Sequence, residues 1–182
     1  MRRLPSAERF DRWAGDYDDS QLQGALYEPV HRAVLHCAHS RLKKADRVLD
    51  VGCGTGRLAR QIAQYTRVVA LDASSPMIER ARSADCRNVD LTIARAERLP
   101  FRDAVFELVL ATFSLRHWPD PGAGLAEIRR VMAPGATLVV ADAFPCGHPD
   151  LAAHDLRVDQ VAPIRSAAQL ADLSLVIATR PR

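Results

Sequence analysis

The chain has 182 residues, of which 48% are hydrophobic and 26% are charged, the balance of an ordinary globular protein long enough to build its own core. The formal net charge is only +3, and the basic residues are scattered rather than clustered, so no nucleic-acid partner is expected. No apolar run approaches the roughly 20 residues that span a bilayer, and the N-terminus lacks the apolar stretch of a signal peptide. These features predict a cytoplasmic protein without a membrane span.

The cysteines and nearby histidines give no metal signal. The cysteines are Cys37, Cys53, Cys86 and Cys146. They form no CxxC pair and complete no zinc-ligand pattern, so reduced structural thiols and no metal are expected. His31 and His36 lie close to one of the thiols, and we interpret them as part of a solvated helix face.

The first 45 residues are expected to form a helical cap. Residues 28–40 have the pattern of an amphipathic helix that packs on the core. Residues 6–23 are polar and aromatic, with Phe10, Trp13 and Tyr17, and could fold over a site as a lid.

The middle of the chain, residues 46–142, alternates short β-rich runs with helical patterns. Strands are predicted over residues 47–51, 67–71, 91–94, 106–111 and 136–142. Helices are predicted over residues 58–65, 75–84 and 122–132, the second capped by Ser75 with Pro76 in its first turn. Pro134–Gly135 is a turn signal.

This alternation predicts an α/β fold, a Rossmann-like doubly wound sheet that is mostly parallel and has helices on both faces. Continuous apolar runs fit strands that are buried on both sides. In such sheets ligands bind beyond the carboxyl ends of the strands, so the site is expected just after residues 51, 71, 94, 111 and 142.

The last part, residues 143–182, is predicted to be a shortened C-terminal antiparallel part of the fold. Residues 144–164 contain prolines, a glycine and histidines and are predicted to be loop. Residues 166–172 are predicted as a short helix and residues 173–179 as a final strand.

The most informative stretch is VLDVGCGTGRLA, residues 48–59. A strand with Asp50 near its end passes through Gly52, Gly54 and Gly56 into a helix, so the backbone can turn tightly and approach a ligand. Backbone N–H groups at a helix start favour anionic groups, and Asp50 could hold an ammonium group. Because Arg57 stands where the dinucleotide motif G-x-G-x-x-G needs glycine, a nicotinamide dehydrogenase is disfavoured; no Gly-Lys-Ser/Thr follows, which excludes a P-loop.

This segment resembles motif I of the class I S-adenosylmethionine-dependent methyltransferases. It is most similar to the small-molecule branch that includes the ubiquinone and menaquinone methyltransferases. The resemblance implies that S-adenosylmethionine is the methyl donor, that no metal is needed, and that the motif contacts the donor. The residues implied by this motif are Asp50, Gly52, Cys53, Gly54 and Gly56.

Two further segments resemble the family's ribose and adenine contacts. In VVALDASSPMIERAR, Asp72 would bind both ribose hydroxyls, because a carboxylate can accept two hydrogen bonds from a diol; its alternative role is to cap the next helix. Ala73 and Met77 would line the adenine. In ARAERLPFRDAVFELVLA, Ala96 and Glu97 match the family, but Arg95 replaces an aspartate that accepts from the adenine amino group, and Arg has no acceptor. Recognition of adenine is therefore expected to weaken or to move to Glu97.

Two more segments resemble the family beside the reacting end of the donor. In ATFSLRHWPD, residues 111–120, Thr112 and Phe113 would lie near the methionine part, and His117 could act as a general base or only shape the loop. FDRWAGDYD, residues 10–18, resembles the stretch in which Tyr17 covers the donor. Trp13 and Tyr17 would present aromatic faces to a sulfonium, or pack on the core.

The resemblance implies methyl transfer to an O, N or C atom of a small-molecule acceptor that the sequence does not identify. The alternative is a cofactor-binding regulatory or low-activity module with this fold, motivated by Arg95 and the shortened tail. Family members have two antiparallel strands after the fifth, whereas only one has a clear pattern here, so the other is either degenerate within the loop or absent. An exposed sheet edge there could pair between subunits and form a homodimer.

Overall fold

A computed structural model describes residues 6–165 and 173–182 of the chain. The α-helices are α1 (Ser6–Trp13), α2 (Glu28–Leu42), α3 (Arg57–Ile62), α4 (Ser75–Ser83) and α5 (Pro121–Val131). The strands are β1 (Val48–Val51), β2 (Val68–Asp72), β3 (Val89–Ile93), β4 (Phe106–Thr112), β5 (Met132–Ala143), β6 (Arg157–Pro163) and β7 (Leu173–Thr179). A π-helical segment, Gln23–Tyr27, leads directly into α2. Each predicted strand and helix of the middle region is present, with ends shifted by a few residues.

The seven strands form one sheet in the order β3-β2-β1-β4-β5-β7-β6. The first five pair in parallel, and β7 pairs antiparallel with both β5 and β6. The strand order reverses beside β1, so the carboxyl ends of β1, β2 and β4 meet at one edge, where a doubly wound sheet binds its ligands. The predicted fold class, a mostly parallel Rossmann-like sheet with an antiparallel C-terminal part, is confirmed.

Alternate residues of the central strands pack into two cores, one on each face of the sheet. Leu108 and Leu110 of β4 join the core beneath α2 and α3, whereas Val109 and Ala111 join the core beneath α5. Both sets are fully buried, as expected for a strand covered on both faces. This burial fixes the direction of β4 and therefore the position of the loop that follows it.

The predicted amphipathic helix is confirmed as α2, which buries Val30, Val34, Ala38 and Leu42 at intervals of four residues. The predicted cap of α4 is wrong by one residue. Ser74, not Ser75, is the N-cap, because its side chain accepts a hydrogen bond from the backbone N–H of Met77. This arrangement places the start of α4 close to the end of β2.

The loop predicted over residues 144–164 is wrong at Arg157–Pro163, which forms the edge strand β6. A β-bulge between Val158 and Gln160 interrupts its pairing with β7 and breaks the alternation that a strand pattern needs. Pro163 ends the strand, a place where an edge tolerates proline. The sixth strand of the family is therefore present within the loop-like stretch, and the final strand was correctly predicted as β7. The predicted helix over residues 166–172 lies outside the described residues.

Within the described part of the chain, no helix combines the length and apolar character needed to cross a membrane. The division into a cap, a core and a C-terminal part stays a prediction, although all seven strands join one sheet.

Candidate active site

A cleft lies at the carboxyl edge of the sheet, over the ends of β1, β2 and β4 and beneath the N-terminal segment. Its empty volume is about 1110 Å³ including its open side, at the upper end of the sizes usual for small-molecule sites. Of the fourteen residues predicted to form the site, thirteen line this cleft. They are Tyr17, Asp50, Gly52, Cys53, Gly54, Asp72, Ala73, Met77, Ala96, Glu97, Thr112, Phe113 and His117. Gly56 does not line it and instead caps α3 with φ +76°.

The glycine loop is shaped mainly by its neighbours in the protein. A Cβ on Gly52 would lie 2.3 Å from Cβ of Ser114, so only glycine lets β1 meet the loop after β4. The N–H groups of Gly52 and Cys53 donate to the carbonyl of Leu71, and the N–H of Gly54 donates to Asp72. The N–H groups of residues 52–54 are therefore bound within the protein and are not open to an anion. Gly54 instead leaves open space that faces Tyr17, whose nearest ring carbon is 3.9 Å from a Cβ built there.

Asp72 ends β2 and contacts both loops that border it. Its Oδ2 accepts from the N–H of Gly54 at 2.9 Å, and its Oδ1 accepts from the N–H of Ser74 at 2.9 Å. Burial raises its pKa, and these two backbone donors act against that rise. Each oxygen keeps a further lone pair, so the carboxylate orders the turn before α4 and still presents acceptors to the cleft.

Two buried polar atoms at neighbouring strand ends have no hydrogen-bond partner among the described residues. They are Oδ2 of Asp50, which is 2% exposed, and Oγ1 of Thr112. Burial, together with the charge of Asp72, raises the pKa of Asp50 to about 7. A buried acceptor without a partner is costly, and these two atoms fit a donor group of a ligand, an ammonium above all.

Arg95 lies on the side of the cleft that is expected to bind adenine, where the family has an aspartate. Arg95 lines the cleft, and its Nε lies 3.4 Å from Oε2 of Glu97. The other oxygen of Glu97 accepts from the N–H of Asp120 at 3.3 Å. Glu97 is thus the carboxylate that remains on this side, and Arg95 pairs with it instead of supplying an acceptor.

The loop after β4 holds its side chains in a connected arrangement. Phe113 has φ +51°, an unusual value for a residue with a bulky side chain, and such strain concentrates at functional sites. Arg116 Nε donates to Nε2 of His117 at 3.1 Å, while its Nη1 lies 2.6 Å from the buried Asp142. His117 thus accepts a hydrogen bond from Arg116 within the loop, a contact that fits the loop-shaping role.

The N-terminal segment contributes aromatic side chains to the cleft. Phe10 and Tyr17 line it, and Asp11 and Asp18 join the segment to the core, accepting from Ser74 Oγ at 2.6 Å and from Thr55 Oγ1 at 2.7 Å. Burial raises the pKa of Tyr17, and the nearby Tyr27 adds to the rise. Trp13 does not line the cleft but packs edge-on against Tyr17 from behind, so the aromatic face expected from it is not presented to the site.

The cleft residues that the sequence did not indicate include Gln23, Tyr27 and His31. The interpretation of both histidines as solvated is correct for His36, which is exposed, and wrong for His31, which is 8% exposed. Burial and the nearby Arg57 lower the pKa of His31 to about 4. Their spacing of four residues places all three on one face of a helix, but spacing alone does not show that this face is buried.

The fold and the cleft define a Rossmann-like methyltransferase. The family model described as a methyltransferase domain matches residues 49–140. The O-methyltransferase rstn1 of Aspergillus nomiae is 37% identical over 168 residues, which cover 86% of this chain and 74% of that protein. The ubiquinone/menaquinone biosynthesis C-methyltransferase UbiE of Neisseria gonorrhoeae is 32% identical over 167 residues, which cover 87% and 67%. The crystal structure of the N-methyltransferase NodS of Bradyrhizobium japonicum with S-adenosyl-L-homocysteine superposes with a TM-score of 0.78 at 16% identity, covering 98% of this chain and 100% of that one.

The chain therefore belongs to the methyltransferase domain family, and it is an S-adenosylmethionine-dependent methyltransferase, as the resemblance implied.

Proposed function

We propose that the cleft binds S-adenosylmethionine across the carboxyl ends of β1, β2 and β4 and transfers its methyl group to an O, N or C atom of a small-molecule acceptor. The observation that carries this proposal is the pair of unpartnered buried atoms on Asp50 and Thr112, next to the carboxylate of Asp72. When bound, S-adenosylmethionine supplies a methyl group on a sulfonium sulfur. Transfer of this methyl group to an acceptor leaves S-adenosylhomocysteine.

The residues of this chain have distinct proposed roles toward the donor. Asp50 and Thr112 hold the amino group of its methionine part, and Asp72 accepts hydrogen bonds from the ribose hydroxyls. The apolar side chain of Met77, which is 1% exposed, and the backbone of Ala96 line the adenine, with Glu97 as the remaining acceptor. Because Cys53 and the glycines have small side chains or none, the donor can lie against the backbone of the loop.

The residues near the acceptor position it and exclude water. The rings of Tyr17, Tyr27 and Phe113 pack edge to face over the cleft, with centroids 5.5 Å and 4.9 Å apart in successive pairs. Holding two reactants in line supplies much of the rate of a bimolecular transfer, so we assign no obligatory base. Metal chemistry is not part of the proposal, and turnover is expected to continue in the presence of a chelator.

Calorimetry with S-adenosylhomocysteine tests the donor site. Asp72→Asn is expected to weaken binding by about ten- to a hundredfold, because it removes charge-assisted hydrogen bonds to the diol. Asp90→Asn is the matched control: Asp90 lies on the adjacent strand, exposed and paired with Arg67, and should bind like the wild type. Equal affinity of Asp72→Asn and the wild type would contradict the assignment.

The alternative, a module that binds the donor with little turnover, keeps one of its two motives. Because β6 is present, the C-terminal part does not lack a strand. Arg95 still stands where the family has an acceptor for adenine, and it pairs with Glu97. Incubation with a donor labelled in its methyl group and fractionated metabolite extracts separates the two: incorporation supports the enzyme, and donor binding without incorporation supports the module. A cytoplasmic location and a homodimer stay predictions.

A further inference from the structure

A polar stripe on the N-terminal helices lines the cleft. Gln23, Tyr27 and His31 follow each other at intervals of four residues, are 5%, 7% and 8% exposed, and all line the cleft. The first turn is π-helical, with the N–H of Glu28 donating to the carbonyl of Gln23 five residues earlier. Such π-turns are rare and often mark functional sites.

Two atoms of this stripe lack hydrogen-bond partners within the described residues. They are Oε1 of Gln23 and Nδ1 of His31. Among the seven buried side-chain polar atoms of this kind, four belong to cleft residues, and these two are separate from the pair on Asp50 and Thr112. Buried polar atoms are normally paired. A second group of unpaired atoms in the same cleft therefore indicates that the cleft binds a second polar group of a ligand.

The amide orientation of Gln23 is fixed by its other end. Its Nε2 donates to the carbonyl of Tyr17 at 2.8 Å, which leaves Oε1 as an acceptor. His31 is neutral at physiological pH, because burial and Arg57 disfavour the imidazolium. The stripe therefore offers one atom that can only accept and one imidazole that can donate or accept, without a net charge of its own.

We infer that Gln23 and His31 form the subsite that recognises the acceptor, and that it takes an uncharged group able to donate a hydrogen bond, a hydroxyl foremost, carried on a ring or chain that packs against Tyr27. This inference rests on the proposed function, since it assigns the acceptor side of the same cleft. An anionic group would face the lone pairs of Gln23 Oε1. A cationic group would be desolvated beside Arg57 without a carboxylate on the stripe.

The test uses three probes on the full chain saturated with S-adenosylhomocysteine: 2-naphthol, 2-methoxynaphthalene and 2-naphthoate. Calorimetry should give wild-type affinity for 2-naphthol about tenfold or more above the other two, because losing the donor leaves buried groups unpaired. His31→Phe and Gln23→Met should reduce this preference to about twofold or less. Addition of 2-naphthol should also shift the imidazole ¹⁵N resonances of His31.

Matched controls separate recognition from folding. His36→Phe on α2 and Gln21→Met in the turn before Gln23 change exposed residues and should keep the full preference.

Two outcomes would overturn the subsite: a wild type that binds the hydroxyl and methoxy probes equally or not at all, or a preference that survives both His31→Phe and Gln23→Met. Affinity for S-adenosylhomocysteine, measured in every variant, should stay within about threefold of wild type. Loss of that affinity in the wild type would reject the proposed donor site instead, so the two failures are distinguishable.

Discussion

At the scale of single residues, the fold shifts the pKa values of two side chains that line the cleft. Asp50 is buried beside a second carboxylate, which raises its pKa to about 7. His31 is buried near a guanidinium, which lowers its pKa to about 4. Desolvation is the largest cause of both shifts and acts against the charged form in each case.

The state of Asp50 predicts a pH dependence of donor binding. A cationic amino group requires the ionised carboxylate, so the affinity for S-adenosylhomocysteine should rise about tenfold per pH unit below pH 7 and level off above it. Calorimetry between pH 5.5 and 8 measures this slope. Asp50→Asn should bind more weakly and with a flat profile. Asp46→Asn, at an exposed position before the amino end of β1, should keep the wild-type slope. A flat wild-type profile would contradict the role of Asp50.

The state of His31 predicts a pH dependence of stability. The unfolded chain binds a proton at His31 near pH 6.5 and the folded chain near pH 4, so its contribution is lost as the pH falls through this window, by about 3 kcal/mol at most. The contribution of Asp50 to stability changes with pH in the opposite direction. Because its pKa is raised in the folded chain, it stabilises the fold as the pH falls below 7. Urea unfolding of His31→Gln at pH 7.5 and pH 5 should show a smaller loss than the wild type, and His36→Gln should show the wild-type loss. Identical losses in the two variants would refute the assignment.

Much of the donor side could be predicted from the sequence, since a strand, a glycine loop and a following acid have a fixed spacing in this fold. Asp50 and Asp72 lie where that spacing puts them. The stripe of Gln23 and His31 could not be predicted, because helical periodicity does not say which polar face turns inward. The π-turn at its start also removes the regular helical pattern on which such a prediction depends.

At the scale of elements, the glycine loop after β1 has a structural role, because it contacts the ends of two neighbouring strands. The N–H groups of Gly52 and Cys53 bind the end of β2, and Ser114 Oγ donates to the carbonyl of Val51 at 2.7 Å. The loop after β4 therefore presses directly on the loop after β1. Substitutions at this junction should affect stability as much as donor affinity.

Gly52→Ala measures the importance of this junction. A Cβ there would lie 2.3 Å from Ser114 Cβ at a φ of +78°, and left-handed strain plus overpacking should cost about 3 kcal/mol in the free energy of unfolding. Gly15→Ala, whose Cβ would meet nothing within 4 Å, is the matched control. Adding Ser114→Gly to Gly52→Ala should recover part of the loss, and additive effects of the two changes in urea unfolding would show that the steric contact is unimportant.

The edge strand β6 shows why the C-terminal part was harder to predict than the core. Central strands such as β4 are continuous apolar runs, whereas β6 is exposed along most of its length and contains a bulge. Its exposure leaves no hydrophobic pattern to detect. The charges of Arg157 and Asp159, which form an ion pair at 2.9 Å, and the bulge itself are features that discourage pairing of an edge with another chain.

At the scale of the whole molecule, the N-terminal segment and the sheet form the cleft together, although they are far apart along the chain. Asp18 accepts from Thr55 Oγ1 and lies 3.9 Å from Arg57 and 3.8 Å from Arg80. These partners are at the start of α3 and on α4, which border the donor site. A ligand that orders the glycine loop should therefore also order the segment that covers it.

This coupling predicts a pattern of hydrogen exchange. Saturation with S-adenosylhomocysteine should slow exchange in residues 10–27, 52–56 and 112–117, because binding stabilises the elements that surround the ligand, and should leave residues 157–163 of β6 unchanged. Asp18→Ala should raise exchange in residues 10–27 and weaken donor binding about fivefold, since a smaller fraction of molecules holds the covered state. Asp155→Asn, an exposed change near the start of β6, should behave as the wild type. If the ligand protects residues 52–56 but not residues 10–27, the N-terminal segment packs on the core without covering the bound donor.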